Sequence, residues 1–429
     1  MIRALIALAC LAAVACSTKI IVHDKAGSAV SQADVYVGDA RAGATDAAGT
    51  LTVSMTGGLP VFARKLMYEH ASYRGNHGPG QGWVMRAYQT SLAVQNDGSR
   101  TGAALAAAPA TQAIALDPQN GLIGLHLVVS LEWDASQAEL DELAARFGKA
   151  SEYLYNLTDG QFLLEQVELG DDGQLWGSAE IVLVADNITR PFTSYPGGYL
   201  GPVAFSAPVI KMAPFSDNPY ASREAETIIH ELGHLAFGLQ DEYIGFGDGP
   251  HFCTQNLFDP TGAAFAPGGV QASCAMNHQM LASKLCSNQA GNPHHGGTYQ
   301  FGSCWDTIRN GAFNDPGGGT ARWTFQTPDT RGAIPGHLPP IPAGLRTVVN
   351  VMNRKLHDLC APFKFTHPNG ASAAGNTVSL IPSFWGPAFW EGALDYQGAI
   401  ELRGVHLGDV IQTPGATVTV GASQCAPTE

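Results

Sequence analysis

The chain has 429 residues and a formal net charge of −14, with 14% charged and 45% hydrophobic residues. Its 23 Lys and Arg form no basic cluster, which excludes the phosphate-neutralising surface on which nucleic-acid binding is built. Fifty Gly and 26 Pro point to a loop-rich, β-containing protein rather than a helical bundle, and the length predicts two or three domains.

Residues 1–15 read as an export signal peptide. Arg3 is the only charged side chain, residues 4–15 form an apolar run of signal length, and Ala13-Val14-Ala15 fits a small-residue cleavage site. Cys16 follows at once, so two outcomes stand open: simple secretion, or acylation of Cys16 as in a bacterial lipoprotein, where one acyl chain anchors weakly. The expected location is periplasmic, extracellular or the outer surface. No later apolar stretch is long enough to cross a bilayer. Cys253, Cys274, Cys286, Cys304, Cys360 and Cys425 form an even set without a CxxC pair. In an exported chain they predict disulfides rather than a second metal site.

Residues 16–57 read as a small β-sandwich. Strands are predicted at 19–22, 33–37 and 50–53, separated by Asp24-Lys25-Ala26-Gly27 and Asp46-Ala47-Ala48-Gly49, both with turn chemistry. The series Asp24, Gly27, Gly43, Thr45, Asp46, Gly49 resembles the carboxypeptidase regulatory-like β-sandwich. That resemblance implies a spacer or adhesion module; the residues themselves ask only for a stabilising β-domain. Residues 58–120 read as a linker or poorly specified segment, apart from a strand at 88–94; the alanine-rich stretch 103–113 is interrupted by Pro109.

Order returns at 121. Residues 125–133 read as a buried strand, and 134–155 as an amphipathic helix with Leu140, Leu143, Ala144, Phe147, Ala150 and Leu154 on its apolar face and Gly160 at its end. Strands follow at 162–169 and 179–184. Strand, helix, strand, strand and then a further helix is an α+β order.

That further helix carries the chemistry. The segment 230–243 reads HELGHLAFGLQDEY. It is predicted to start near Ser222, with Ala225, Ile228, Ile229, Leu232, Leu235, Ala236 and Leu239 as its apolar stripe. His230 and His234, four residues apart, lie on one side of such a helix, with Glu231 between them. Gly238 supplies the left-handed residue that lets the chain leave the helix and swing back. Asp241 is then the expected third metal ligand, with Glu242 as the alternative or as a group that orients a ligand histidine. Two neutral imidazoles and a carboxylate suit Zn²⁺ with an open position for water, and Glu231 is placed to act as general base.

The motif resembles that of the IgA-peptidase-like metallopeptidases, and it is similar to the HExxHxxxGxxDEY motif of the calcium-activated chloride channel regulator metalloproteases. Carried over residue by residue, the resemblance implies His230, His234 and Asp241 as zinc ligands and Glu231 as catalyst. It implies a zincin-like domain over 121–315, its sheet beside the active-site helix, acting on a protein or peptide substrate. The glycine and third ligand fall one residue later than in ordinary metzincins. Met276, within Ser273-Cys274-Ala275-Met276, could supply a methionine turn below the metal as zincin relatives do, or be a core methionine. Cys304 to Ile308 resembles a Cys-containing segment of the channel-regulator protease domain, and residues 195–205 are a candidate substrate rim. The adjacent His294 and His295 point apart in an extended segment and read as a surface loop.

Residues 316–429 read as a C-terminal β-rich domain, a sandwich tied by Cys360 and Cys425, with strands at 347–352, 377–381, 399–402 and 416–420; Trp385, Phe389, Trp390 and Tyr396 are either core aromatics, the commoner case, or a ligand-binding aromatic surface. The expected fold is therefore α+β, a zincin-like metallopeptidase domain flanked by all-β sandwich domains. The expected function is exported, zinc-dependent endopeptidase activity. Two alternatives use the same residues: a cell-surface binding or adhesion protein with a structural or self-processing zinc site, and a zinc amidase acting on cell-wall peptides.

Overall fold

The computed structural model describes residues 16–55, 59–71, 84–94, 100–104, 111–176, 178–185, 192–193, 210–212, 224–237, 239, 274–278, 285, 304–308, 341–353, 360, 363–383 and 389–425. It is β-rich with few helices, and the chain divides into two compact units. Among the described residues no helix is long and apolar enough to cross a membrane.

The first unit comprises Met1–Tyr68, Ala87–Leu122 and Pro340–Leu345. Strand Cys16–His23 pairs antiparallel with Thr50–Met55 and parallel with Thr111–Ala115. Strand Asp34–Val37 pairs with Ala40–Ala44 on one side and with Val61–Arg64 of strand Pro60–Ala71 on the other. Ile20, Val22, Val35, Val61, Ala63, Ile114 and Leu116 alternate inward from these strands to form one apolar cluster. The turn chemistry works as expected. Asp46 Oδ1 accepts the amides of Ala48 and Thr50 at 2.9 and 2.8 Å, and Gly49 adopts φ +71°, where a Cβ would sit 2.6 Å from Val22 O. Residues 58–120 are the stretch that the sequence presents as a linker or poorly specified segment. Strands Pro60–Ala71, Val84–Thr90 and Thr111–Ala115 fall within it. Ala113, Ile114 and Ala115 find partners in Ile21, Val22 and His23, so distant pairing overrides the low strand propensity of alanine.

The second unit comprises Glu69–Arg86, Ile123–Pro339 and Arg346–Glu429. Strand Asp117–Leu131 contributes residues from Ile123 onward to a parallel array with Phe162–Gly170 and Ile181–Leu183. Ile210–Met212 continues it in parallel, and Phe192–Thr193 closes it antiparallel. On the opposite side Val348–Met352 pairs parallel with Gln166–Gly170. Strand Val348–Met352, read from the sequence with the C-terminal strands, thus pairs within this parallel sheet. Its apolar run reads the same in either setting; only the pairing partner distinguishes them.

Helix α1 (Gln137–Leu157) crosses between the first two parallel strands. It starts on a capping box, in which Ser136 Oγ accepts the Glu139 amide at 3.3 Å and Glu139 Oε2 accepts the Ser136 amide at 2.9 Å. Leu140, Leu143, Phe147, Ala150 and Leu154 are buried, as the periodicity predicts. The helix ends where Thr158 Oγ1 donates to Leu154 O and the Gly160 amide, at φ +73°, donates to Tyr155 O.

Residues beyond 360 form two antiparallel groups, Phe363–Thr366 with Ala399–Leu402, and Phe389–Ala393, Thr377–Ile381, Val410–Thr413 and Ala416–Thr419 in that spatial order. Phe363, Phe365, Ile400 and Leu402 of the first share one apolar cluster with Val378, Leu380 and Ile411 of the second. Cys360 and Cys425 are joined by a disulfide across it. Tyr396, expected in the core, is 79% exposed, because it lies in the turn between Ala393 and Ala399 rather than on an inward strand position.

Candidate metal centre

Helix α2 (Glu224–Phe237) carries His230, Glu231 and His234. Ile228, Ile229, Leu232, Leu235 and Ala236 bury its apolar stripe, and Phe237 meets Phe162 edge-on at 5.0 Å between ring centroids. On α1, burial pushes the Tyr153 hydroxyl upward, and the charges of Glu226 on α2 and of Cys274 push it the same way. The helix stops at Phe237, and the Leu239 amide donates to Gly233 O at 3.1 Å, six residues back, so the chain turns back over the last turn of the helix.

The two imidazoles lie 4.9 Å apart, centroid to centroid, with their planes nearly perpendicular. Each ring is held from behind by a backbone carbonyl. His230 Nδ1 donates to Ala275 O at 3.0 Å, and His234 Nδ1 donates to Leu239 O at 2.7 Å. A carbonyl only accepts, so each Nδ1 carries a proton, and in the neutral ring this leaves the lone pair on Nε2. That is the tautomer a metal-ligating histidine needs, held by the outer-shell contact that metal sites use. His230, Glu231 and His234 are 4, 6 and 7% exposed, so all three side chains are largely withdrawn from bulk water. These features fit a zinc ion.

The segment after residue 273 supports this arrangement with three consecutive residues. Cys274 Sγ lies 3.5 Å from Cys304 Sγ, both buried. Ala275 supplies the carbonyl for His230. Met276 packs under the helix at Gly233, where an added Cβ would stand 2.7 Å from the Met276 sulfur. The fourth residue of the motif is glycine because this methionine occupies the space of a side chain. Glu231 is held from the sheet side: Thr193 Oγ1 lies 2.9 Å from its Oε2 and 3.1 Å from its backbone oxygen.

Asp241 and Glu242 lie outside the described residues, as do Gly238, Ser222, residues 195–205, His294, His295, Cys253 and Cys286. Among the described residues no three His, Cys, Asp or Glu side chains converge as a complete metal site. Thr193 and the carbonyls of Ala275 and Leu239 had no sequence signal. Backbone oxygens carry no residue identity, and the threonine is an ordinary strand residue until the fold brings it to the helix. No family model matches the chain, and no curated protein or solved structure matches it either.

Proposed function

We propose that this protein is an exported zinc-dependent endopeptidase with a zincin-like catalytic domain, of the kind that the motif resemblance to the IgA-peptidase-like and chloride channel regulator metallopeptidases implies. One observation carries the reading: two buried imidazoles on one helix, each fixed by a carbonyl at Nδ1, with a buried glutamate between them. His230 and His234 hold the metal through Nε2. Asp241 is the proposed third ligand, with Glu242 as its alternative. When bound, zinc supplies a positive centre that polarises the scissile carbonyl and makes water more acidic. Glu231 takes the proton of the attacking water on its carboxylate and delivers it to the leaving amine nitrogen. Burial strengthens both transfers by removing competing solvent. Export is part of the proposal, with Cys16 as the acylation point of a lipoprotein form; the Cys360–Cys425 disulfide suits an oxidising compartment.

The test is zinc content and cleavage of a mixed peptide library, with and without a chelator, read by mass spectrometry. Glu231→Gln retains zinc and loses about 10²- to 10⁴-fold in cleavage, the usual contribution of a general base. His234→Ala loses zinc. Undiminished cleavage by Glu231→Gln removes the base, and stoichiometric zinc in His234→Ala removes the ligand.

A further inference from the structure

We infer that Thr193 is a positioning residue for Glu231, holding its carboxylate in the orientation that proton transfer requires. This rests on the reading of Glu231 as general base. Thr193 ends the two-residue strand Phe192–Thr193, which runs antiparallel to Ile210–Met212 with Thr193 opposite Ile210. Its Oγ1 lies 2.9 Å from Glu231 Oε2 and 3.1 Å from Glu231 O. A hydroxyl has one proton to give, and the carboxylate oxygen is the nearer of the two acceptors.

The consequence is mechanical. A glutamate side chain has three torsions, and a base that wanders through them spends little time facing the proton it must remove. A donor from a separate element pins one carboxylate oxygen before substrate arrives. Threonine suits the task because its β-branch restricts χ1, so the strand backbone itself aims the hydroxyl. The bond also gives a buried carboxylate a hydrogen-bond donor, and an ionised group withdrawn from water is costly without donors. Sheet and helix therefore meet at the base: the helix supplies Glu231, and the antiparallel strand sets its direction.

The experiment uses the full-length zinc-loaded protein with Thr193→Val, which keeps the shape and removes the hydroxyl, and Thr193→Ser, which keeps the hydroxyl. Two properties are read: kcat and KM on a peptide from the library screen, and calorimetric affinity for a peptidyl hydroxamate, whose acidic proton a neighbouring carboxylate must accept. Zinc affinity, measured by chelator competition, is the control for a merely structural effect. For Thr193→Val the expected result is a kcat about tenfold lower with KM little changed, a hydroxamate affinity lower by about the same factor, and unaltered zinc affinity. Thr193→Ser recovers most of both losses. Wild-type hydroxamate affinity and kcat in Thr193→Val overturn the inference. So does a parallel loss of zinc affinity that serine does not restore. If the wild type cleaves no peptide but hydroxamate affinity falls with valine and returns with serine, the positioning role stands and the endopeptidase reading falls. If the wild type takes up no zinc, both fall.

Discussion

His406 is a buried histidine set between two carboxylates. It is 6% exposed, with Nε2 3.4 Å from Asp134 Oδ2 and Nδ1 3.5 Å from Asp409 Oδ2. Burial alone would push its pKa down. The hydrogen bonds to Asp134 and Asp409 and the charges of both carboxylates outweigh that and raise it to about 9. Burial likewise works against the charge on Asp409, but the His406 ring and the amides of His406 and Ser383, the latter two at 2.8 Å, hold its carboxyl below the usual range. The sign follows directly. A raised folded pKa means that the His406 contribution is complete below the unfolded value near 6.5 and is lost as pH climbs through about 9. The lowered Asp409 contribution is present above the ordinary carboxylate range and is lost as pH falls through its own folded value. The clasp is therefore strongest near about pH 5 to 6. Between the unfolded and folded values of His406 the full loss is about 3 kcal/mol, most of it after pH 7. The assay is an NMR titration of the histidine rings, assigned with His406→Gln, together with denaturant unfolding at pH 6 and at pH 9.5. The expected results are an apparent pKa near 9 for His406, a drop of about one unit or more in Asp134→Asn, and a fall in stability with alkali that is muted in His406→Gln. An apparent pKa at or below the ordinary histidine value, or identical alkaline losses in wild type and His406→Gln, refutes the reasoning.

Two further outcomes concern the same C-terminal strands. The Cys360–Cys425 disulfide closes a 65-residue separation, so loop-entropy arguments put its contribution at about 4 kcal/mol, and Cys360→Ser with Cys425→Ser should lower the unfolding midpoint correspondingly. An unchanged midpoint would show that the cross-link restricts little in the unfolded chain. Gly398 has φ +76° and an added Cβ would stand 2.0 Å from Gly370 O, whereas Gly415 has φ +86° with nothing near the added atom. Gly415→Ala should therefore cost about 1 to 2 kcal/mol, the left-handed penalty alone. Gly398→Ala should cost at least about 3 kcal/mol through the added backbone collision. Equal denaturation midpoints for the two variants would contradict that distinction.

The local parts of this fold were legible because the forces behind them are local. The spacing from Leu140 to Leu154 marks the buried face of α1, and Ser136 with Glu139 caps it. The His230–His234 spacing places both rings on one side of α2, and Gly49 marks its turn. Strand partnership was not legible. Residues 60–71 and 111–115, read as linker, are strands because partners far along the chain receive them. Residues 348–352, read as part of a C-terminal domain, join the central sheet beside 166–170.

The amino-acid order alone determined that this protein has a helix bearing paired imidazoles and a glutamate, since helical periodicity needs no information beyond neighbouring residues. Tertiary structure alone decided what stands behind that helix: the carbonyls of Ala275 and Leu239 that set both tautomers, the sulfur of Met276 in the space left by Gly233, and the hydroxyl of Thr193 on Glu231. Three of those four groups, the two backbone oxygens and the strand hydroxyl, have no recurring pattern in the chain. They act only through distances of about 3 Å that folding creates, across five residues for Leu239 and between distant segments for Ala275 and Thr193.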